Sequence, residues 1–151
     1  AIDDDVIVVG AYDDGEERQG SAYVYRRNAT TWIEEAKLTS TDDSDAEDFG
    51  DSVSVKGNRI VVGDYWYGDN DEGAVFVYGY DSLSNSWNQV GDTLLNDDCD
   101  GYFGYLVRLT HDEELLVRCG DWDSTVGNIY YYEKQGMGND YVLQQSIGFD
   151  N

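Results

Sequence analysis

Two acidic loops contain the residue types that bind hard cations. Each loop comes directly before a Phe-Gly pair, at residues 49–50 and 103–104. Carboxylate and amide oxygens at alternate positions, followed by a turn glycine, let a loop wrap around Ca²⁺. The candidate ligands are Asn96, Asp98 and Asp100 in the second loop, and Asp43, Asp45 and Glu47 in the first. Calcium is the one cofactor that these loops suggest.

The calcium pattern in the second loop is incomplete. A bidentate glutamate is expected six positions after the glycine, Gly101, and Val107 stands there instead. A solvated, charge-rich turn is therefore the favoured interpretation of both loops, and calcium binding is the alternative.

Aromatic residues form a second set of candidate ligand-binding side chains. Three apolar segments of the chain end in a glycine, at residues 10, 63 and 120, and an aromatic residue stands two positions after each of these glycines. The second of these aromatic residues begins a run of three. The candidates are Tyr12, Tyr65, Trp66, Tyr67 and Trp122. Exposed aromatic rings beside Asp and Asn can stack on sugars or anchor a protein interface. The alternative is that Tyr12, Tyr65 and Trp122 pack under a neighbouring loop, which leaves Trp66 as the best surface candidate.

The sequence gives little support for catalysis. The single histidine, His111, stands among acidic residues in a predicted turn, where a solvated role is favoured over general-base chemistry. The two cysteines have no second histidine with which to form a nucleophilic or zinc site. One N-glycosylation sequon begins at Asn28, in a predicted turn, although such three-residue patterns often arise by chance.

The composition indicates a folded, strongly acidic protein. The 151 residues include 32 acidic and 9 basic side chains, giving a formal net charge of −23, and 40% are apolar. Nucleic acid is excluded as a partner, because a phosphate backbone is bound by Lys and Arg surfaces that this chain lacks. No stretch approaches the ~18 apolar residues of a membrane span. The chain opens on Ala1 without an initiator Met, so we expect a piece of a longer protein.

An internal repeat decides the fold class. Ile-Val-Val-Gly at residues 7–10 recurs at 60–63, and an aromatic-rich strand at residues 20–25 recurs at 73–78, each 53 residues later. Weaker third copies lie at residues 115–120 and 127–132, and the Phe-Gly pair also recurs. Landmarks that keep the same order and spacing are typical of repeat architectures such as propellers.

Each unit is predicted to contain four short strands separated by turns. In the best-preserved copy these are residues 52–56, 59–63, 74–80 and 87–90, with Gly-Asn at 57–58 as a tight turn. The prediction is an all-β chain of about three four-stranded antiparallel blades, with approximate bounds 1–48, 49–102 and 103–151. Because the chain opens at a second strand, the count is eleven strands, an incomplete arc of a larger propeller.

Together these landmarks resemble the FG-GAP repeat, which is known from integrin α chains and from secreted microbial and algal proteins. The matching segments are Phe-Gly-Asp-Ser-Val at 49–53, Val-Val-Gly at 8–10 and 61–63, Tyr-Val-Tyr at 23–25, Lys-Leu-Thr at 37–39, and the tryptophans at 32 and 87. The resemblance covers essentially the whole chain. It implies further blades, supplied by a continuation of the chain or by other copies.

Two departures from the family pattern matter. The proline that the family places after Gly-Ala is replaced by an aromatic residue in every unit. The integrin-type calcium loop between first and second strands is absent, so calcium binding is not implied by the resemblance.

A disulfide between Cys99 and Cys119 is also predicted. A hairpin turning at residues 111–114 places Cys119 opposite Leu106, and the loop that holds Cys99 enters at the same end. The family resemblance implies secretion, which makes oxidation available. The alternative is that Cys119 is a small buried residue with a free thiol, in the place of Val9 and Val62.

The resemblance implies a binding or adhesion module outside the cell or on its surface, contacting a protein or a glycan through its blade loops. It is not expected to be an enzyme or to insert into a membrane. The first alternative is a structural building block of an extracellular assembly or filament. The second, with the least support, is a hydrolase on a propeller scaffold.

Overall fold

The computed structural model describes residues 1–15, 18–40, 48–120, 126–135 and 140–150. All regular elements in these ranges are β-strands, and they form three four-stranded antiparallel sheets, none of them closed. Sheet 1 contains β1 (Ile2–Asp3), β2 (Val6–Ala11), β3 (Ser21–Asn28) and β4 (Thr31–Leu38). Sheet 2 contains β5 (Ser52–Lys56), β6 (Arg59–Asp64), β7 (Ala74–Asp81) and β8 (Ser86–Gln89). Sheet 3 contains β9 (Leu106–Leu109), β10 (Leu115–Cys119), β11 (Val126–Lys134) and β12 (Tyr141–Asp150).

Each sheet is a simple meander in which sequential strands are neighbours. The all-β prediction and the strands predicted for sheet 2 are confirmed. Short apolar segments bounded by turns, among them the Gly-Asn turn, identify these strands in the sequence. Lys56 pairs with Arg59 across that two-residue turn, and Gly57 takes the positive φ of 55°. None of the described residues forms a helix that could cross a membrane.

The prediction of eleven strands was wrong, because the described residues contain twelve. The additional strand is β1, in which Ile2 pairs with Ile7 and Asp3 pairs with Val6. Asp4, with a φ of 45°, turns the chain between the two strands. A strand of two residues shows no alternation of apolar and polar side chains, so its sequence carried no signal.

The middle sheet is buried on both faces. Ile60, Val62 and Phe76 pack into one core with residues of sheet 1, whereas Val61 and Val75 pack into another with residues of sheet 3. Successive residues of a strand point to opposite faces, so the continuous apolar run of β6 serves both cores. The three sheets therefore stack face to face in the manner of propeller blades.

Each junction between sheets is closed by a Phe-Gly pair. Phe49 is fully buried, and its backbone N–H donates to the carbonyl of Gln19 at 3.1 Å. Phe103 is also fully buried, and its N–H donates to the carbonyl of Glu72 at 3.0 Å. Parallel bridges join Gly20 to Phe49 and Gly73 to Phe103. We call this arrangement the Phe-Gly seam.

The seam requires glycine on the side that receives the phenylalanine. Gly20 and Gly73 have φ values of 78° and 81°, which side chains disfavour. A Cβ atom at either position would overlap the carbonyl oxygen of the phenylalanine, Phe49 or Phe103. Only a residue without a side chain lets the phenylalanine backbone come this close to the preceding sheet.

Replacing Gly73 by alanine should destabilise the protein more than the same change at Gly91. Gly91 is exposed, has a φ of 73°, and meets no atom at its Cβ position, so it isolates the conformational cost of about 1–2 kcal/mol. Gly73→Ala should cost about 1–3 kcal/mol more, because the methyl group also separates the seam. Urea unfolding of both variants measures the difference, and equal losses would contradict the role of the seam.

The outer faces of sheets 1 and 3 carry apolar residues at the positions that are buried inside the stack. Sheet 1 repeats sheet 2 at an offset of 53 residues. The outer face of sheet 1 therefore corresponds to the face of sheet 2 that is buried against sheet 1. The residues of these faces are Ile7, Val9, Tyr23 and Tyr25 on sheet 1, and Leu116, Ile129, Tyr131 and Ile147 on sheet 3. Val9 and Ile147 are each 48% exposed.

The purified 151-residue chain should therefore self-associate. Sedimentation velocity is expected to show species larger than the 17.0 kDa monomer, because exposed apolar faces of this kind associate. Val9→Lys and Ile147→Lys should each reduce this association. Leu83→Lys, in a turn where the side chain is 93% exposed, adds the same charge and should not. A monodisperse monomer of the unaltered chain would refute the expectation.

Candidate functional site

Four aromatic side chains gather where sheet 2 meets sheet 3. Tyr65 and Trp66 follow directly after β6, and Tyr102 and Tyr105 flank the second Phe-Gly pair. The ring centroid of Tyr65 lies 5.5 Å from that of Trp66, 6.0 Å from that of Tyr102 and 5.4 Å from that of Tyr105. Trp66 and Tyr102 meet edge to face at 5.5 Å. We call these four residues the aromatic cluster.

The Phe-Gly seam brings these rings together from distant parts of the sequence. The backbone N–H of Tyr102 donates to the carbonyl of Asp71 at 2.8 Å, which holds the loop before β9 against the loop before β7. Gly104 lies so close to Gly63 that a Cβ on Gly63 would overlap its carbonyl oxygen. These backbone contacts fix the positions of the residues on either side of the Phe-Gly pair, and they place Tyr102 and Tyr105 against Tyr65.

The rings of the cluster are only partly buried, so they remain accessible to a ligand. The guanidinium carbon of Arg118 lies 5.0 Å from the centroid of the Tyr105 ring, which is within cation–π range. This basic side chain therefore supports the cluster from within sheet 3.

Two acidic residues that flank the first Phe-Gly pair, just before β5, lie beside the cluster. Burial raises the pKa of Tyr65, and the negative charges of Asp51 and Asp48 raise it further. Burial also raises the pKa of the Asp51 carboxyl, with the charge of Asp48 as a second cause. Asp48 accepts a hydrogen bond from Arg18 at 3.3 Å. The surroundings of the cluster are therefore anionic, with one carboxylate paired.

The structure separates the sequence-predicted aromatic residues. Tyr65 and Trp66 belong to the cluster, but Tyr67 packs on Phe76 at 5.8 Å, against the core between sheets 1 and 2. Tyr12 is 47% exposed and lies in the corresponding loop after β2. Trp122 lies outside the described residues. Aromatic packing against the neighbouring loop, the alternative for Tyr65, is what the structure shows at that position.

The sequence analysis missed Tyr102 and Tyr105. The available signal was their position on either side of Phe103-Gly104, where the first Phe-Gly pair has Asp48 and Asp51. Only the geometry of the seam shows that these flanking positions face the residue after β6.

The second acidic loop is held by internal hydrogen bonds. The Asn96 side chain donates to the Tyr132 hydroxyl at 3.2 Å and accepts from the backbone N–H of Asp98 at 3.0 Å. The Tyr130 hydroxyl donates to the carbonyl of Asp98 at 2.8 Å, and the side chains of Asp98 and Asp100 are exposed. In the part of the chain that the structure describes, no group of three or more acidic, His or Cys side chains could hold a metal ion.

The calcium interpretation therefore stays a prediction without added support from the second loop. The candidate ligands of the first loop, Asp43, Asp45 and Glu47, lie outside the described residues.

A disulfide joins Cys99 to Cys119, as the sequence predicted, with a Cα–Cα distance of 5.9 Å. The predicted register was wrong by one residue, because Leu106 pairs with Arg118 and not with Cys119. The N–H of Thr110 donates to the carbonyl of Glu114, which closes a three-residue turn in which Glu113 has a φ of 62°. This shorter turn shifts every later pair.

Cys119 was also matched to the wrong residue of sheet 2. The N–H of Gly50 donates to the carbonyl of Gly63, and that of Gly104 donates to the carbonyl of Arg118. Arg118 is therefore the counterpart of Gly63, and Cys119 is that of the fully buried Asp64 and not of Val62.

Two other sequence candidates lie in exposed turns. Asn28 is exposed at the end of β3, next to Ala29, which has a φ of 54°. His111 is exposed in the turn between β9 and β10. Glycosylation at Asn28 stays a prediction.

The double substitution Cys99→Ala with Cys119→Ala should lower the free energy of unfolding by about 3 kcal/mol. The bridge spans 20 residues of sequence, and closing a loop of this size restricts the unfolded chain by about that amount. Urea unfolding measures the change. Adding dithiothreitol should destabilise the unaltered protein and leave the double variant unaffected; an equal response of both would contradict the role of the bridge.

Stacked four-stranded meanders joined by Phe-Gly seams define a repeat protein of propeller type. Residues 32–78 match the family model described as FG-GAP repeat, a segment that runs from β4 to β7 across the first seam. The match confirms the FG-GAP repeat that the sequence resembles, over that segment of the chain. A comparison with curated proteins found no match.

Proposed function

We propose that this protein is an extracellular or cell-surface binding module that contacts a partner protein through the aromatic cluster. The observation that carries the proposal is the set of four partly exposed rings, Tyr65, Trp66, Tyr102 and Tyr105. Tyrosine and tryptophan supply large, rigid contact areas with a polar edge, and they dominate the energetics of many protein interfaces.

The charge around the cluster indicates the kind of partner. Asp48 and Asp51 lie beside Tyr65, and the whole chain has a formal net charge of −23. A negative field of this size attracts basic surfaces and speeds their association. The partner is therefore a protein with a basic contact surface. A neutral glycan that stacks on the rings is the alternative outcome.

The disulfide supports placement outside the cell. Structural disulfides form and persist in oxidising compartments and are rare in the cytosol. The bond between Cys99 and Cys119 holds the loop that leads to Tyr102. In an oxidising extracellular environment the disulfide would persist and would keep the position of Tyr102 fixed. The sequon at Asn28, in an exposed turn, is compatible with the same compartment.

The proposal assigns no catalytic role to any residue. Both cysteines are consumed by the disulfide and cannot act as nucleophiles. The exposed His111 lies in a turn between β9 and β10, at the other end of the strands from the aromatic cluster. The proposed role of the aromatic cluster is therefore binding alone, with no chemical reaction.

A structural building block is the second candidate function. It is favoured by the apolar outer faces of sheets 1 and 3, where Val9 and Ile147 are each 48% exposed. Faces of this kind would let copies stack into a larger assembly. Self-association of this chain is expected in either case, so the discriminating result is the kind of assembly: open polymers or sheets favour the building block, and a closed particle favours the binding module.

Trp66→Ala should weaken partner binding by at least about tenfold, because truncation of a central aromatic contact commonly costs about 2 kcal/mol or more. The partner is first selected from a panel of purified extracellular proteins and a glycan array, and its affinity is then measured by surface plasmon resonance. Tyr102→Ala should have a similar effect.

The matched control is Trp32→Ala. Trp32 is also a partly exposed tryptophan and carries a guanidinium 5.8 Å from its ring, but it lies on β4 of sheet 1. It should leave the affinity unchanged. Binding to a basic protein should also weaken as salt concentration rises. Equal losses from Trp32→Ala and Trp66→Ala, or binding only to neutral glycans, would count against the proposed protein partner.

A further inference from the structure

A groove of about 480 Å³ lies between sheets 2 and 3, at the end opposite the aromatic cluster. It opens at the start of β6 and the end of β7, whereas the cluster follows the end of β6. The residues that matter here are Asn58, Arg59, Asp81 and Asn88 on sheet 2, and Glu113 and Lys134 on sheet 3. Small-molecule sites in proteins commonly have volumes of about 300–1,000 Å³.

Arg59 is the most buried of the charged side chains that line this groove. Its side chain is only 13% exposed and lies along sheet 2 beside Gly79. A Cβ atom on Gly79 would overlap the terminal Nη1 of Arg59 and lie 3.1 Å from the side chain of Val90. The missing side chain at Gly79 therefore gives the guanidinium its place in the wall of the groove.

The opposite wall is fixed by contacts within sheet 3. Lys134 donates to the Glu113 carboxylate at 2.7 Å, and the Tyr141 hydroxyl donates to the Glu113 carbonyl at 2.8 Å. The same carboxylate lies 4.0 Å from Arg59 across the groove. Burial raises the pKa of Tyr141 to about 12, so its hydroxyl remains a donor at neutral pH. The groove therefore has two ordered walls.

The charges that line the groove cancel. Arg59 and Lys134 are positive, and Asp81 and Glu113 are negative. An ion would gain little from such a set, although the protein as a whole is strongly acidic. Guanidinium, ammonium and amide groups donate hydrogen bonds, and carboxylates and amide carbonyls accept them, so the walls offer both roles.

A hydroxyl group both donates and accepts a hydrogen bond, so a ligand rich in hydroxyls can use both kinds of wall group. The side chain of Val90 adds apolar surface to the same groove. We propose that this groove binds a neutral saccharide unit. The site is separate from the aromatic cluster and does not depend on the function proposed for it.

The test uses the complete chain and neutral monosaccharides as probes: glucose, galactose, mannose and N-acetylglucosamine. Nuclear magnetic resonance follows the side-chain N–H signals of Arg59, Asn58 and Asn88 as each sugar is added. At least one of the sugars should shift these signals, with a dissociation constant on the order of millimolar. Glucuronic acid and glucosamine, which carry charge, should bind no better than their neutral counterparts.

Gly79→Ala is the most informative variant, because it changes no charge and its methyl group displaces the flexible end of Arg59, with a small shift of the Val90 side chain 3.1 Å away. It should weaken sugar binding by at least about tenfold, as expected when a charge-assisted hydrogen bond is lost. Asn88→Ala, at an exposed position on β8, provides a second variant that leaves the core intact. Trp66→Ala should bind the sugars normally.

Three results would overturn the proposal. The first is that no neutral sugar shifts the groove signals of the folded protein at concentrations of tens of millimolar. The second is that Gly79→Ala and Asn88→Ala both bind as tightly as the unaltered chain. The third is that Trp66→Ala abolishes sugar binding, which would place the sugar on the aromatic cluster instead.

Discussion

The contact between a Phe-Gly backbone and a glycine of the preceding sheet organises the rest of this structure. At each of the two junctions the phenylalanine N–H donates to the neighbouring sheet, and its ring fills the core below. Phe49 meets Phe76 at 5.2 Å and Phe103 meets Tyr130 at 5.9 Å, both edge to face. One dipeptide thus combines a backbone bridge with a buried aromatic anchor.

Both candidate binding regions depend on this contact. At one end of the strands it aligns Tyr102 and Tyr105 with the residue that follows β6. At the other end, the spacing that it sets between sheets 2 and 3 leaves a groove with Arg59 on one side and Glu113 on the other. One rigid junction can therefore hold two separate candidate binding surfaces, one at each end of the strands, on the same scaffold.

The fold could be predicted from the sequence because the strands of sheet 2 are short apolar segments that repeat along the chain and end in recognisable turns. The sequence was sufficient for the disulfide pairing as well, although the register failed where Glu113 adopts a positive φ that no simple turn rule anticipates. The aromatic cluster was only half visible: Trp66 stood out in the sequence, but Tyr102 is brought to it by a junction between sheets. Tyr67 follows Trp66 directly and yet points to another core.

The two Phe-Gly pairs have different neighbours, and this has a consequence for how such a protein can change over evolutionary time. Asp48 and Asp51 flank the first pair, and tyrosines flank the second, yet the junction is built in the same way. The flanking side chains contribute little to the bridge, which uses main-chain atoms and the buried ring. A lineage could therefore exchange acidic and aromatic side chains there, and so acquire new ligands, while the scaffold is inherited unchanged.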